Sequence, residues 1–318
     1  MKLARRVNPG GRRQMPNRES EIHLRFKPHA PADAFYAPSR YASSSKRAFV
    51  FEHSVGSTRP LGAASERAYL ERMRDKLSPR SLARTLFLIS ALESGQVVFP
   101  GEWLKPSERA AFSALDSQRR QAFARAFLSR DVSAIRDFYG AQAQYERSRH
   151  ELIRSTLQRL PTPLTAQFGT AHSLLTAELA REGVASSRDL KPVIFDLPTA
   201  LVRKLARGGK PSDREYKLAF LHHHIGGFTP MKSASDANLQ THFLNMLLHQ
   251  MTDAQVDHAL HQTRLEFPLL PSWAPHNRVP TRAEMRAYLT EHSPDWRRYM
   301  AAIEQRRKTS NKRPGKRA

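Results

Sequence analysis

Helical periodicity, interrupted again and again by residues that start and stop helices, is the feature that most constrains this fold. From about Ala63 onward, apolar residues recur at the spacing of one helix face. Ser78 and Pro79 have the order of an N-cap and a first helical residue, and Gly95 stands where that helix is expected to end. The sequence therefore predicts an all-α protein, an irregular bundle of many helices.

Further start and stop signals follow along the chain. Asp131 is expected to open the longest helix, which runs to about Leu160. Thr252 and Thr281 each begin the spacing of a capping box, in which side chains satisfy free backbone N–H groups of the first turn. The stretch 164–181 is interpreted as one more helix. The pattern has no fixed-period repeat and indicates no parallel sheet.

Proline and polar residues divide the chain into segments. Pro161 and Pro163 predict a boundary between two helical subdomains. Before the helices lies a stretch rich in Pro, Ser, Arg and Gly that is predicted to be disordered, although its short stretches 22–26 and 48–51 alternate weakly and are candidate single strands or docking segments. The predicted division is a basic N-terminal arm, two helical subdomains and a basic C-terminal tail: 1–60, 61–160, 164–304 and 305–318.

Positive charge is concentrated at the two ends of the chain. The 318 residues have a formal net charge of +23, of which residues 1–60 hold +8 and residues 305–318 hold +7. The remaining +8 is spread over residues 61–304. Charge clustered in this way predicts arms that contact an anionic polymer or surface, and the alternative is a tail that keeps the protein in solution.

The basic ends make nucleic acid, RNA or DNA, the expected partner. Arginine contacts phosphate well, and aromatic side chains, such as those of Trp296 and Tyr299 beside basic residues, can stack on unpaired bases. Those aromatic rings can equally pack on the core while the neighbouring arginines stay solvated. The residues predicted to contact nucleic acid are Arg5, Arg6, Arg12, Arg13, Arg297, Arg298, Arg306, Arg307, Lys308, Lys312, Arg313, Lys316 and Arg317.

Several classes of site lack their sequence signals. The chain has no cysteine, which excludes disulfides, cysteine zinc sites, iron–sulfur ligation and thiol nucleophiles. It has no phosphate-loop, dinucleotide-binding or nucleophile-elbow motif, so no cofactor is expected and the sequence leans away from an enzyme without deciding the point. No apolar run reaches the roughly 18 residues of a membrane span, and no secretory signal peptide is recognisable.

Histidines are the remaining candidates for site chemistry. His222, His223 and His224 are consecutive, and because each helical residue turns by about 100° they cannot form one face of a metal site. Their roles stay open between structure, catalysis or ligation, and contact with nucleic acid. His258 and His261 share a helix face, but their spacing matches no zinc motif, so no metal site is predicted.

The segment from Leu190 to Leu197 resembles the opening of the helical domain in the ProQ/FinO family of bacterial RNA-binding proteins. The resemblance covers a small part of the chain, implies RNA binding and assigns no site residue. The alternative function is a secreted bacterial effector or interaction protein whose disordered N-terminus is an export signal and which acts on a host protein. The expected location is accordingly the cytoplasm or, under that alternative, a host cell.

Overall fold

The structure is a computed structural model with eleven α-helices and a five-stranded β-sheet in its described part. The mostly helical class that the sequence predicts is confirmed. The structure describes residues 22–27, 48–55, 61–77, 79–95, 97–103, 106–160, 163–169, 172, 175–184, 186–190, 195–225, 234–261 and 280–311.

The five strands form one parallel sheet, so the expectation that no parallel sheet would form is wrong. The strand order is β3-β2-β4-β1-β5, and every neighbouring pair is parallel. Parallel strands are joined by long crossovers and need no tight turn, so this sheet leaves no hairpin signal in the sequence. The strands are β1 (Ile22–Lys27), β2 (Ala48–Val55), β3 (Val98–Trp103), β4 (Leu164–Gly169) and β5 (Ser186–Leu190).

The helices fill the intervals between the strands and the whole C-terminal half. The predicted long helix is confirmed as α4, with Asp131 at its N-cap. In order they are α1 (Ala63–Met73), α2 (Pro79–Glu93), α3 (Pro106–Ser129), α4 (Val132–Arg159), α5 (Leu175–Arg181), α6 (Leu197–Ala206), α7 (Asp213–Ile225), α8 (Ala234–Gln250), α9 (Asp253–His261), α10 (Arg282–His292) and α11 (Pro294–Asn311). No helix among the described residues is both long and apolar enough to cross a membrane.

Two parts of the chain differ from the sequence interpretation. The stretch 164–181 is not one helix, because its first six residues form β4 and pair with β1 and β2. The segment 1–60, predicted to be disordered, supplies β1 and β2; its other residues lie outside the described part, as do residues 312–318. Strands from three of the predicted segments thus share one sheet.

Local cap predictions were more successful. At the start of α10, the Thr281 side chain accepts from the backbone N–H of Glu284, whose carboxylate accepts from Thr281 N at 2.7 Å. At α9, Thr252 N donates to Gln255 Oε1 at 2.7 Å, and Gln255 N donates to Thr252 Oγ1 at 3.3 Å. Both predicted capping boxes are confirmed because the signal lies within four consecutive residues.

Two large apolar cores meet along α4. A helical core is formed by α3, α4, α6, α7, α8 and α9, and a sheet core by four of the strands with α4 and α5. The first half of α4 contributes Ile135, Phe138 and Tyr139 to the helical core, and its second half contributes Ile153 and Leu157 to the sheet core. The middle of α4 therefore lies between the two cores, where its polar residues line a cavity.

Candidate functional site: an arginine-lined cavity beside α4

A cavity of about 770 Å³ lies against the middle of α4. Phe138, Gln142, Glu146 and His150 line it, and their four-residue spacing places them on one face of that helix. The other walls come from α3, α5, α6, α7 and His172. We call this space the α4 cavity. Its volume falls within the roughly 300–1,000 Å³ that is typical of small-molecule sites.

The α4 cavity lies beyond the carboxyl ends of the strands. His172 comes three residues after the end of β4, and α6, which lines the cavity, follows β5. β2 and β4 are neighbours in the sheet, but the chain continues from β2 to the edge strand β3 and from β4 to the opposite edge strand β5. In open parallel sheets, ligands bind outside the carboxyl ends of strands at such a change of direction.

Five arginines line the cavity and give it an excess of positive charge. They outnumber the three lining carboxylates, those of Glu146, Glu178 and Asp196. One of these carboxylates is already used, because Asp196 accepts from the backbone N–H of Thr199, at 2.7 Å, as the N-cap of α6. The arginines are Arg119, Arg147, Arg181, Arg203 and Arg207.

Their intramolecular partners differ. Arg119 donates to Asp116 and, at 3.2 Å, to Gln142. Arg203 lies over the ring of Phe195, 4.4 Å from its centroid. Within the described part of the chain, Arg147 and Arg207 form no ion pair with a carboxylate. Burial, with Arg207 close by, lowers the pKa of Arg203, which means that positive charge is crowded here and that a bound anion would relieve the repulsion.

His150 and Glu178 form a pair on the cavity wall, with 3.0 Å between Nδ1 and Oε2. Burial, the main cause, and the neighbouring His172 lower the pKa of His150 to about 4, so its ring is neutral at neutral pH. A carboxylate only accepts hydrogen bonds, and Nδ1–H is therefore the donor of this pair. The ring of His150 also stacks on His172, with centroids 5.8 Å apart, and its buried Nε2 has no hydrogen-bond partner among the described residues.

Apolar side chains also line the cavity. Phe138, Tyr139, Pro198 and Val202 line it. Tyr139 is almost fully buried, burial raises the pKa of its hydroxyl, and that hydroxyl has no hydrogen-bond partner among the described residues. A space with apolar walls and several arginines suits a ligand that joins an apolar ring to an anionic group.

The predicted nucleic-acid contacts lie elsewhere. Arg297 donates to the carbonyls of Thr290 and Glu291 at the end of α10, at 2.8 and 2.9 Å. Arg298 is 3.5 Å from Asp295, and Lys308 is 3.2 Å from Glu304. Arg297, Arg298 and Lys308 do not line the α4 cavity, and Arg306 and Arg307 belong to the same helix, α11. Outside the described residues are Arg5, Arg6, Arg12, Arg13, Lys312, Arg313, Lys316 and Arg317.

The three consecutive histidines point to different surroundings. His222 is buried, His223 packs against Phe123 at 5.3 Å between ring centroids, and His224 packs against Phe220 at 4.5 Å. Burial lowers the pKa of all three. Only His223 lines the α4 cavity. Over the described ranges, no group of three or more His, Asp or Glu residues is arranged to hold a metal ion.

The sequence analysis missed His150, Glu178 and the cavity arginines, because four separate helices bring them together. One signal was available. Gln142, Glu146 and His150 put polar groups at four-residue spacing on a helix that also carries apolar core residues at both ends. A polar stripe between two apolar stripes on one helix indicates a polar cavity or a wet interface.

Comparisons of the chain with protein-family models, curated proteins and solved structures give no match. The resemblance of the segment from Leu190 to Leu197 therefore has no support from a family match. The function of this protein has to be argued from the α4 cavity and from the charge of the chain.

Proposed function

We propose that the protein binds a phosphate-bearing ligand of nucleotide size in the α4 cavity. The observation that carries this proposal is the convergence of five arginines on one cavity, where Arg147 and Arg207 have no carboxylate partner among the described residues. Guanidinium groups bind phosphate oxygens through two parallel hydrogen bonds, and such charge-assisted bonds are about twice as strong as neutral ones.

The apolar side of the cavity supports a nucleotide over inorganic phosphate. Phe138 and Tyr139 line the cavity but their rings are almost fully buried, so the exposed ring of His223 supplies the aromatic surface there. Bases stack on aromatic side chains with little regard to sequence, and this stacking is worth about 1–3 kcal/mol per base. The ligand is then either a free nucleotide or the terminal nucleotide of a strand.

The strand form of this ligand connects the cavity to the predicted nucleic-acid function. The ends of the chain, at +8 and +7, would add phosphate contacts along a bound strand, and these contacts would weaken as salt is added. The alternative of a secreted effector acting on a host protein stays a prediction, and so does the location of the protein.

The test is a binding titration of the full-length protein with adenosine, AMP, and short single-stranded RNA and DNA. AMP is expected to bind and adenosine to bind far more weakly, because the phosphate is the group that the arginines recognise. Arg147→Gln and Arg207→Gln should each weaken AMP binding about tenfold, the loss of one charge-assisted hydrogen bond. Arg125→Gln is the matched control, since Arg125 is exposed on α3 and does not line the cavity.

The oligonucleotides separate the two forms of the ligand. Tighter binding of a strand than of AMP, with both weakened by Arg147→Gln, would indicate a strand end in the cavity. If the affinity for an oligonucleotide is the same in the cavity variants and is lost as salt is added, binding belongs to the basic ends alone. That result would contradict the proposal. Deleting residues 1–60 is unsuitable as a test, because it removes β1 and β2 from the sheet.

A further inference from the structure

Glu178 has two carboxylate oxygens with different surroundings. Oε2 is held by Nδ1 of His150 at 3.0 Å, and His150 is in turn stacked on His172. The other oxygen, Oε1, has no hydrogen-bond partner among the residues that the structure describes. Glu178 lines the α4 cavity together with the five arginines. Its carboxylate is therefore held by His150 through one oxygen, in a cavity whose arginines suit a phosphate.

We propose that the α4 cavity hydrolyses phosphodiesters, with Glu178 as the catalytic residue that accepts a proton from water and His150 as the residue that positions it. This inference rests on the proposed function, since the arginines must hold the phosphate. A carboxylate held in one orientation by a histidine is the arrangement expected of a general base, and nearby guanidinium groups stabilise charge that develops on the phosphate oxygens.

The reaction step balances with water as the only co-reactant. The oxygen of a water molecule forms a bond to phosphorus while Oε1 of Glu178 takes one of its protons. The bond from phosphorus to the leaving oxygen breaks, and the electron pair goes to that oxygen, next to the arginines. The proton on Glu178 then passes to the leaving oxygen or to solvent, which restores the carboxylate.

The charged groups around Glu178 set the expected pH dependence. Burial raises the pKa of Glu178. The charges of Arg181 and Arg154 lower this pKa, and those of Glu182 and Glu151 raise it. His150 contacts the Glu178 carboxylate directly. A general base works only when deprotonated, so kcat/KM should rise with pH through the pKa of Glu178, which lies above the ordinary value of about 4.3. A bound phosphate raises the pKa of Glu178 further. The increase in kcat should therefore occur at a higher pH than the increase in kcat/KM.

A purely structural role for the pair would leave different traces. In that case Glu178 would only satisfy the buried ring of His150, and its loss would lower stability without touching a reaction. The test must therefore follow hydrolysis, ligand binding and folding in the same variants, and it must use a leaving group that needs no proton.

The experiment measures release of p-nitrophenolate from bis(p-nitrophenyl) phosphate by the full-length protein. Glu178→Gln is expected to lower the rate at least 100-fold, because a general base usually contributes a rate acceleration of at least that size. AMP should still bind to this variant. His150→Leu, which removes the Nδ1–H donor, should move the rising limb of the pH profile to higher pH, and His150→Gln, which keeps a donor, should move it less. Glu304→Gln is the matched control, because Glu304 pairs with Lys308 on α11, does not line the cavity and is not among the charges that act on Glu178.

Each outcome decides between the two proposals. Binding of AMP without any hydrolysis by the native protein would overturn the catalytic inference and leave the binding function standing. If the native protein neither binds AMP nor hydrolyses the diester, both the binding function and the catalytic inference are overturned. A full rate in Glu178→Gln would contradict the assignment of the base. Should that variant fail to fold by circular dichroism, Glu178→Asp, which keeps the charge but withdraws it by one methylene, must lower the rate at least tenfold for the inference to stand.

Discussion

The helical core and the sheet core lie side by side on α4, yet they are built from very different stretches of chain. The helical core takes its buried residues from positions 122 to 260, mostly from helices that follow one another. The sheet core joins Ile22 and Leu24 of β1 to residues as distant as Leu175 and Leu179. A core made of neighbouring helices is therefore encoded locally, whereas a core made of parallel strands depends on pairings that no short stretch of sequence reveals.

The largest effect is expected from a substitution that creates a cavity in each core. Phe220→Ala in the helical core should cost about 3–5 kcal/mol and Leu24→Ala in the sheet core about 2–5 kcal/mol of unfolding free energy, since both side chains are fully buried. Because α4 belongs to both cores, each variant should shift a single common transition in urea, followed by circular dichroism and fluorescence. Leu128→Ala, at a side chain 81% exposed, should change the free energy by less than about 0.5 kcal/mol.

Two separate transitions, one moved by each variant, would contradict this expectation. They would mean that α4 connects the cores without making them one cooperative unit.

A smaller effect is expected from acid, at the place where the two cores meet. In the folded state the pKa of His150 is lowered to about 4, whereas the unfolded chain takes up its proton near pH 6.5. The stability due to neutral His150 is therefore complete above about pH 6.5 and is lost as the pH falls towards 4, by about 3 kcal/mol. Urea unfolding of the native protein and of His150→Gln at several pH values checks this.

The variant should lose less stability than the native protein over that pH interval. Other histidines act in the same direction in both proteins, so only the difference between the two proteins reports His150. The pKa is also lowered for His222, His223, His224, His242 and His249. Equal pH dependence in the two proteins would contradict the prediction.

The smallest effect concerns the helix that joins the cores. Gly140 lies inside α4, and a β-carbon built there meets nothing within 4 Å. Gly140→Ala should therefore stabilise the protein by about 0.5–1 kcal/mol through the lower conformational entropy of the unfolded chain. The urea midpoint should rise for both cores together. An unchanged or lower midpoint would show that this glycine has a role in bending α4.

The sequence predicted those parts of the fold whose signals are local. Asp131 before α4 and the boxes at Thr252 and Thr281 were correctly identified, because each cap is written within a few residues. The candidate strands at 22–26 and 48–51 are β1 and β2, but the sheet was not predicted, since β1 pairs with β4 and β5 across more than a hundred residues. The prediction of one helix over 164–181 fails at residues 164–169, which form β4, whereas α5 begins only at Leu175.

The candidate site could be predicted least of all. His150 and Glu178 are 28 positions apart on different helices, and neither belongs to a motif. Only folding brings Nδ1 and Oε2 to 3.0 Å, so the pair has no signature in a single sequence. The charge of the cavity was likewise hidden, because arginines from α3, α4, α5 and α6 each look like ordinary surface residues in their own helix.

The position of β1 in the sheet has a consequence for the synthesis of this protein. β1 is synthesised well before both of its partners, β4 and β5, which begin only after residue 163. During that interval α3 and α4 can already form and pack against each other, since their contacts are local. The apolar strand β1 therefore stays without its partners while more than 130 further residues are translated, and this strand is where chaperone binding or misassembly of the nascent chain is to be expected.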